Sequence, residues 1–254
     1  MILSHMTWTE CAQVDWGQAL ALVPLGSTEQ HGPHLPCNTD TLLVTAIAEA
    51  AEQRLAGQVV LCPTVWLGHS PHHLSFGATL SAHHAPYAAM LVEILRSLRS
   101  MGCKKALLLN GHGGNRVPAA IAMQEMKDQD PQYTVMHADY WALAADDILS
   151  ISSSGVTGMG HACELETSLY MHVCPQGVRS QEIRDAGEGN CPAGSAYQGY
   201  MFQGTPLAWV DNFEQITDTG VFGKPTHASA EKGAKFFAAI VAAVERLLES
   251  ALAT

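Results

Sequence analysis

The sequence predicts an α/β fold of three layers, α/β/α, around a mostly parallel central sheet. Three observations carry this expectation. Short apolar runs alternate with longer stretches whose apolar residues recur at helical spacing, the order that covers a parallel sheet with helices on both faces. Hydrophobic residues make up 47% of the 254 residues and charged residues 15%, the balance of a chain that buries a sizeable core rather than of a disordered one. Segments rich in glycine and histidine fall where the strands should end, and ligands of open α/β sheets bind at the carboxyl ends of strands.

Taken in order, residues 19–25 (ALALVPL) read as a buried strand ending in the turn residues Gly26 and Ser27. Residues 41–55 read as a helix of good helix formers, with Asn38, Thr39 and Asp40 available to cap its first amides. Residues 59–65 predict a second strand, 85–101 a second helix, 105–110 (KALLLN) a third strand and 117–128 a third helix. A fourth strand is expected over 133–138. The stretch 164–172 is a helix with apolar positions Leu165, Leu169 and Met171. Residues 187–224, rich in Gly, Pro and aromatics, read as loop. Residues 228–252 predict a long amphipathic helix with Glu231, Lys232 and Lys235 on its exposed face. There is no internal repeat, charge block or linker, so one domain over residues 1–254 is expected.

Charge narrows the partners. Thirteen Lys and Arg against 24 Asp and Glu leave a net charge of −11 with His neutral. Nucleic acid and anionic membrane surfaces, which need neutralising cations, are therefore not expected as partners. No stretch reaches the roughly 20 apolar residues of a membrane span. The first residues lack the basic-then-apolar order of a signal peptide, so a soluble, cytoplasmic protein is expected. The seven cysteines form no CxxC pair and read as reduced packing residues.

The chemistry lies in three segments. The first runs Ser27-Thr28-Glu29-Gln30-His31-Gly32-Pro33-His34, followed by Asn38-Thr39-Asp40. A bent loop after a strand can turn Glu29 and His31 to one point, and Asp40 is favoured at a helix start by the local dipole. The second, Asn110-Gly111-His112-Gly113-Gly114-Asn115, lets the backbone approach a ligand closely around His112. It lacks both the GxGxxG spacing and the lysine of nucleotide-binding loops. In the third, Gly160-His161-Ala162-Cys163-Glu164-Leu165-Glu166, helical spacing puts His161 and Glu164 on one face and points Glu166 elsewhere. The inventory Glu29, His31, Asp40, His112 and Glu164, with His161 as an uncommitted base, exceeds one closed tetrahedral site. It suits a pair of divalent ions about 3.5–4 Å apart that share a carboxylate. The mixed nitrogen and oxygen donors fit Zn²⁺ first, with Mn²⁺ or Fe²⁺ as alternatives. The chemistry of such a pair is hydrolysis.

These residues also carry a resemblance. LVPLGSTEQHGPHLPCNTD, GHSPHHLSFGATLS, LLLNGHGGN, HACELETS and GVFGKPTHASAEKG resemble the creatininase family over nearly the whole chain. The resemblance implies a three-layer α/β/α fold, a two-metal centre, hydrolysis of C–N bonds in small amides, lactams or formamides, and homo-oligomers, often hexamers. Some relatives act on carbonyl rings of sugar-like compounds. By position, Glu29, Asp40 and His112 correspond to the ligands of one metal; His31, Asp40 and a glutamate correspond to those of the other. True creatininases supply that glutamate two residues after the strand-end histidine, where this chain has Gly114. The HACE motif instead implies Glu164 as the fifth ligand. His161 corresponds to the proton-transfer histidine that protonates the leaving nitrogen. Ser70, His73 and Gly113 are assigned to the substrate pocket, with His72 where the family usually has an acid. Trp141 and Trp209 are candidates to close over the substrate. The readings set against a hydrolase are a metal-binding module without catalysis and a nucleotide-binding α/β protein.

Overall fold

A computed structural model describes residues 1–185, 201 and 211–254. Trp209, Cys191 and most of the predicted loop 187–224 lie outside the described residues. Four strands, β1 (Leu20–Leu25), β2 (Val59–Leu61), β3 (Lys105–Asn110) and β4 (Thr134–Asp139), form a parallel sheet in the order β2-β1-β3-β4. The expected second strand is shorter than its apolar run. After Leu61 the Cys62 amide still donates to the Leu22 carbonyl at 2.8 Å, and the chain then makes an isolated bridge from Val65 to Leu25.

Every residue of β1 is buried, and its side chains alternate between two cores. Leu20 and Leu22, with Leu107 and Leu109 of β3, face one helical layer. That layer holds α2 (Thr39–Arg54), α5 (Tyr140–Leu143), α6 (Ala145–Ile151), α7 (Glu164–Val173) and α9 (Ala230–Ala253). Ala21, Val23, Leu25, Ala106 and Leu108 face the other, built from α3 (His84–Ser100) and α4 (Arg116–Gln129). Each leucine so enclosed contributes roughly 1.5–3 kcal/mol. The one-turn helices α1 (Trp8–Cys11) and α8 (Phe213–Ile216) lie outside these layers. The three-layer α/β/α architecture is thus the observed one. The six described cysteines are all free thiols.

Ser229 caps α9 by accepting a hydrogen bond from the Lys232 amide at 3.2 Å. Gly233 lets this helix lie directly on α7, because a Cβ there would run into the Ser168 carbonyl. One expectation about α9 is corrected. Lys232 is turned inward, its side chain only 22% exposed and its ammonium on the Glu164 carboxylate.

The strand order decides where a site can form. From β1 the chain moves outward to β2 and then crosses back to β3, so the strand order reverses between β1 and β3. Leu25 and Asn110 are register partners at the carboxyl ends of these strands. The loops that follow them therefore open at the same height into the crevice where doubly wound folds bind ligands.

Candidate metal centre

Glu29 and His31 leave on the loop after β1. The Glu29 amide donates to the Cys37 carbonyl at 2.9 Å, closing the loop so that both side chains turn inward. Asp40 lies in the first turn of α2, where the helix dipole favours a carboxylate. His112 follows β3. Glu166 is held on α7 across the same crevice. All five are buried.

They form two triads that share Asp40. In one, His112 Nδ1 is 3.1 Å from Glu29 Oε1 and 3.2 Å from Asp40 Oδ2. In the other, His31 Nε2 is 3.1 Å from Asp40 Oδ1 and 3.8 Å from Glu166 Oε1. Within each triad the donor atoms lie within 4.8 Å of one another, as do those of a further group, Glu29, His31 and His161.

Hydrogen bonds set the outward nitrogen of each imidazole. His31 Nδ1 donates to the Glu29 carbonyl at 3.2 Å, leaving Nε2 to face the carboxylates. His112 Nε2 lies 3.0 Å from Ser70 Oγ and 3.1 Å from the His69 carbonyl, leaving Nδ1 inward. This arrangement orients a metal-ligating histidine and fixes its tautomer.

Electrostatics strain the cluster. Burial pushes the Glu29 carboxyl up, but the His112 and His73 imidazoles outweigh it and hold the group well below the usual carboxylate range. Burial likewise raises Asp40, and His31 and His112 bring it below its ordinary value. The imidazoles show the mirror image. Burial lowers them, yet Asp40 and Glu166 hold His31 well above the usual range, and Glu29 and Asp40 carry His112 up to about 10.

Glu29 Oε1, His31 Nε2 and Asp40 Oδ2 are buried without any hydrogen-bond partner. Buried polar atoms are nearly always satisfied, and here three unsatisfied ones share one cluster of carboxylates and imidazoles. Divalent cations would satisfy them, and the donor set fits Zn²⁺, Mn²⁺ or Fe²⁺.

His161 precedes α7 instead of standing on it. It pairs with Phe222 in an antiparallel bridge, and the next residue, Ala162, is held in the left-handed region at φ 51°. His161 Nε2 donates to the Gln30 carbonyl at 2.8 Å, so Nδ1 faces Glu29 Oε1 at 3.7 Å with its lone pair. Burial first, and then the charge of His31, holds His161 well below the ordinary imidazole range. Its own hydrogen bond thus turns an uncharged acceptor into the cluster.

The structure corrects the fifth ligand. Glu164 faces away from the cluster. Ser152 Oγ donates to it at 2.7 Å, the Ser153 and Ser154 amides at 3.1 and 3.0 Å, and Lys232 Nζ at 2.5 Å. The cause is the helix start. Because α7 begins at Glu164, the expected shared face of His161 and Glu164 does not exist, and Glu166 turns to His31 instead. Nor can position 114 supply a carboxylate as the backbone stands. A Cβ on Gly114 would run into the His69 carbonyl and the His112 ring.

The expected substrate residues divide. Ser70 is fully buried, bonded to Ser27 Oγ at 2.7 Å and to His112, so it supports the site and does not line an open pocket. His73 joins the cluster with Nε2 at 3.4 Å from Glu29 Oε1. Gly113 is exposed at the rim. Trp141 is buried beneath Arg116. Two residues went unanticipated. The Gln30 amide donates to His73 Nδ1 at 2.8 Å and to the Gly220 carbonyl at 3.1 Å. The Phe213 ring lies 4.1 Å from His73 and 4.8 Å from His161, centroid to centroid.

Comparison with known proteins identifies the family. The family profile for creatininase, described as creatinine amidohydrolase, matches residues 4–248. Mycofactocin precursor peptide peptidase of Mycobacterium ulcerans (strain Agy99) is 31% identical over 227 residues, spanning 87% of this chain and 80% of that protein. The 3-dehydro-scyllo-inosose hydrolase of Thermotoga maritima is 30% identical over 240 residues, spanning 90% and 76% respectively. A solved structure, Creatininase Mn, superposes with a TM-score of 0.81 at 23% identity, covering 98% of this chain and 97% of that one. With the family profile matched from residue 4 to residue 248, the chain belongs to the creatininase family, a family of hydrolases.

Proposed function

We propose that the chain is a metal-dependent hydrolase that cleaves a C–N bond (amide, lactam or formamide) of a small polar substrate. The observation that carries this reading is the pair of buried triads sharing Asp40, with Glu29 Oε1, His31 Nε2 and Asp40 Oδ2 unpartnered. Glu29, Asp40 and His112 would hold one ion, and His31, Asp40 and Glu166 the other. Bound there, divalent ions lower the pKa of a coordinated water and polarise a carbonyl.

The chain's own groups do the rest. His161, neutral and presenting Nδ1, accepts the proton of the attacking water and returns it to the leaving nitrogen. Gln30 holds His73 through Nδ1, so His73 carries its proton on Nε2 as a donor for a substrate oxygen. Phe213 covers His73 and His161 and keeps bulk water from them.

A second reading, hydrolysis of a sugar-like carbonyl ring on the same residues, is favoured by the inosose hydrolase relative. Elemental analysis followed by a substrate screen tests both. About two ions per chain with release of product from creatinine, other lactams, formamides or short peptides supports the first. Turnover of cyclic ketones alone selects the second, and a chain without bound metal refutes both.

We propose further that residues 1–254 form one domain acting in the cytoplasm as a homo-oligomer, a hexamer. Exposed Trp66, Leu80 and Val117 offer apolar surface for subunit contact. Light scattering on the purified protein tests this, and a monomer at all concentrations contradicts it. Among the described residues, no helix is long and apolar enough to cross a membrane.

A further inference from the structure

His112 is aimed by a clamp that reaches away from the cluster. The Asn110 side chain grips the His112 backbone on both sides: Oδ1 accepts from His112 N at 3.2 Å, and Nδ2 donates to His112 O at 2.7 Å. The same Oδ1 accepts from Asn115 Nδ2 at 3.2 Å, and the same Nδ2 gives its second proton to Asp139 Oδ1 at 2.7 Å. The His112 amide only donates and its carbonyl only accepts, so the slot takes the Asn110 carboxamide one way round. Asp139, which also only accepts, anchors that same nitrogen from the neighbouring strand.

Asp139 is placed for this task. It is the register partner of Asn110 across β3 and β4. Although it stands at the start of α5, its side chain makes no capping bond there. Arg116 fixes its other oxygen, with Nε and Nη2 each 2.7 Å from Oδ2, and the guanidinium lies over the Trp141 ring at 5.4 Å. His137 Nε2 approaches Oδ1 at 3.8 Å.

We propose that Asp139, held by Arg116, is a positioning residue for the metal set of Glu29, Asp40 and His112. It anchors the Asn110 amide from the neighbouring strand, so that the clamp holds His112 in place with Nδ1 toward the carboxylates. The inference rests on the metal-centre reading above. Asp139 itself contacts no proposed ligand of that centre among the described residues.

The test is Mn²⁺ titration of chelator-stripped protein by calorimetry, comparing the parent, His112→Ala, Asp139→Ala and Asp139→Asn. His112→Ala identifies which class of sites depends on that ring. Asp139→Ala should weaken the same class about 10–100-fold, the usual cost of losing a group that orients a ligand. The class held by His31 and Glu166 should keep its parental affinity. Asp139→Asn preserves the shape but offers both a donor and an acceptor, so it should shift the same class in the same direction by less. It also keeps the test open should the alanine variant fold poorly. If both Asp139 variants bind as the parent does, the inference is overturned while the metal centre stands. Equal weakening of both classes in each variant also overturns it, because a merely structural role does that. No Mn²⁺ binding by the parent overturns the metal centre and this inference together.

Discussion

Glu164→Ala separates the structural carboxylate of α7 from the one proposed to bind metal. In the parent, the Glu164 side chain is fully buried and receives Lys232, Ser152, Ser153 and Ser154. Removing one partner of a buried ion pair costs about 3–5 kcal/mol, because the other charge is left uncompensated. Here Lys232 is 22% exposed and can recover some hydration, which reduces the expected loss to about 2–3 kcal/mol. For a domain of this size that lowers Tm by roughly 5–10 °C. Metal content should stay at the parental level, since Glu164 belongs to neither triad.

Calorimetric melting and elemental analysis of the same preparations check both halves. A variant that keeps its Tm and loses an ion would refute the assignment. A pH series adds a signed test. Burial raises the Glu164 carboxyl, but Lys232 and the serines pull it down to about 2 from an ordinary 4.5. A depressed carboxylate contributes stability in full above its unfolded value and loses it as the pH falls through the folded one. The Tm gap between parent and variant should therefore be widest above about pH 4.5 and should close toward pH 2.

Three further outcomes follow from the site. Glu166→Ala should lose the ion held with His31, and Asp40→Ala should lose both ions; two ions retained in either, by elemental analysis, contradicts the shared-carboxylate scheme. His161→Ala should keep its metal and lose about 10²–10⁴ in turnover, the usual share of a general acid–base. Parental kcat in that variant removes His161 from proton transfer. Gly114→Ala should cost about 1–3 kcal/mol by overpacking and weaken Mn²⁺ binding at the His112 set, because the new Cβ meets the His112 ring. A melt and a titration matching the parent would show that the strand-end turn tolerates a side chain.

The sheet was legible because its strands are buried on both faces. In β1 and β3 nearly every residue is apolar, which a parallel strand between two helical layers requires. Helix boundaries shifted by one or two residues, as at Ala230, where the Ser229 cap rather than apolar period sets the start. The strand at Val59–Leu61 ended early because Pro63, just beyond Cys62, has no amide to carry the ladder on. The converging loops were legible too, since Glu29, His31, Asp40 and His112 follow strand ends that the strand order makes neighbours.

Glu166 was not, and the reason is specific to α7. Spacing identifies an inward face only when the other face meets water, and here residues 164–170 are all buried. Glu164 points toward α9 and Glu166 toward α2, so both carboxylates are enclosed and a hydrophobic pattern cannot rank them. The discriminating partner of Glu164 is Lys232, 68 residues away, whose position in an exposed-looking EKG segment conceals an inward ammonium. The partner of Glu166 is His31, brought to it by the loop after β1. A single helical step thus decides which of two neighbouring carboxylates stabilises the fold and which faces the cluster, and that step is set by Cys163, the residue just before the first turn. Its amide meets Glu166 Oε2 at 3.3 Å, so the contact that fixes the start of α7 also holds the carboxylate whose other oxygen faces His31.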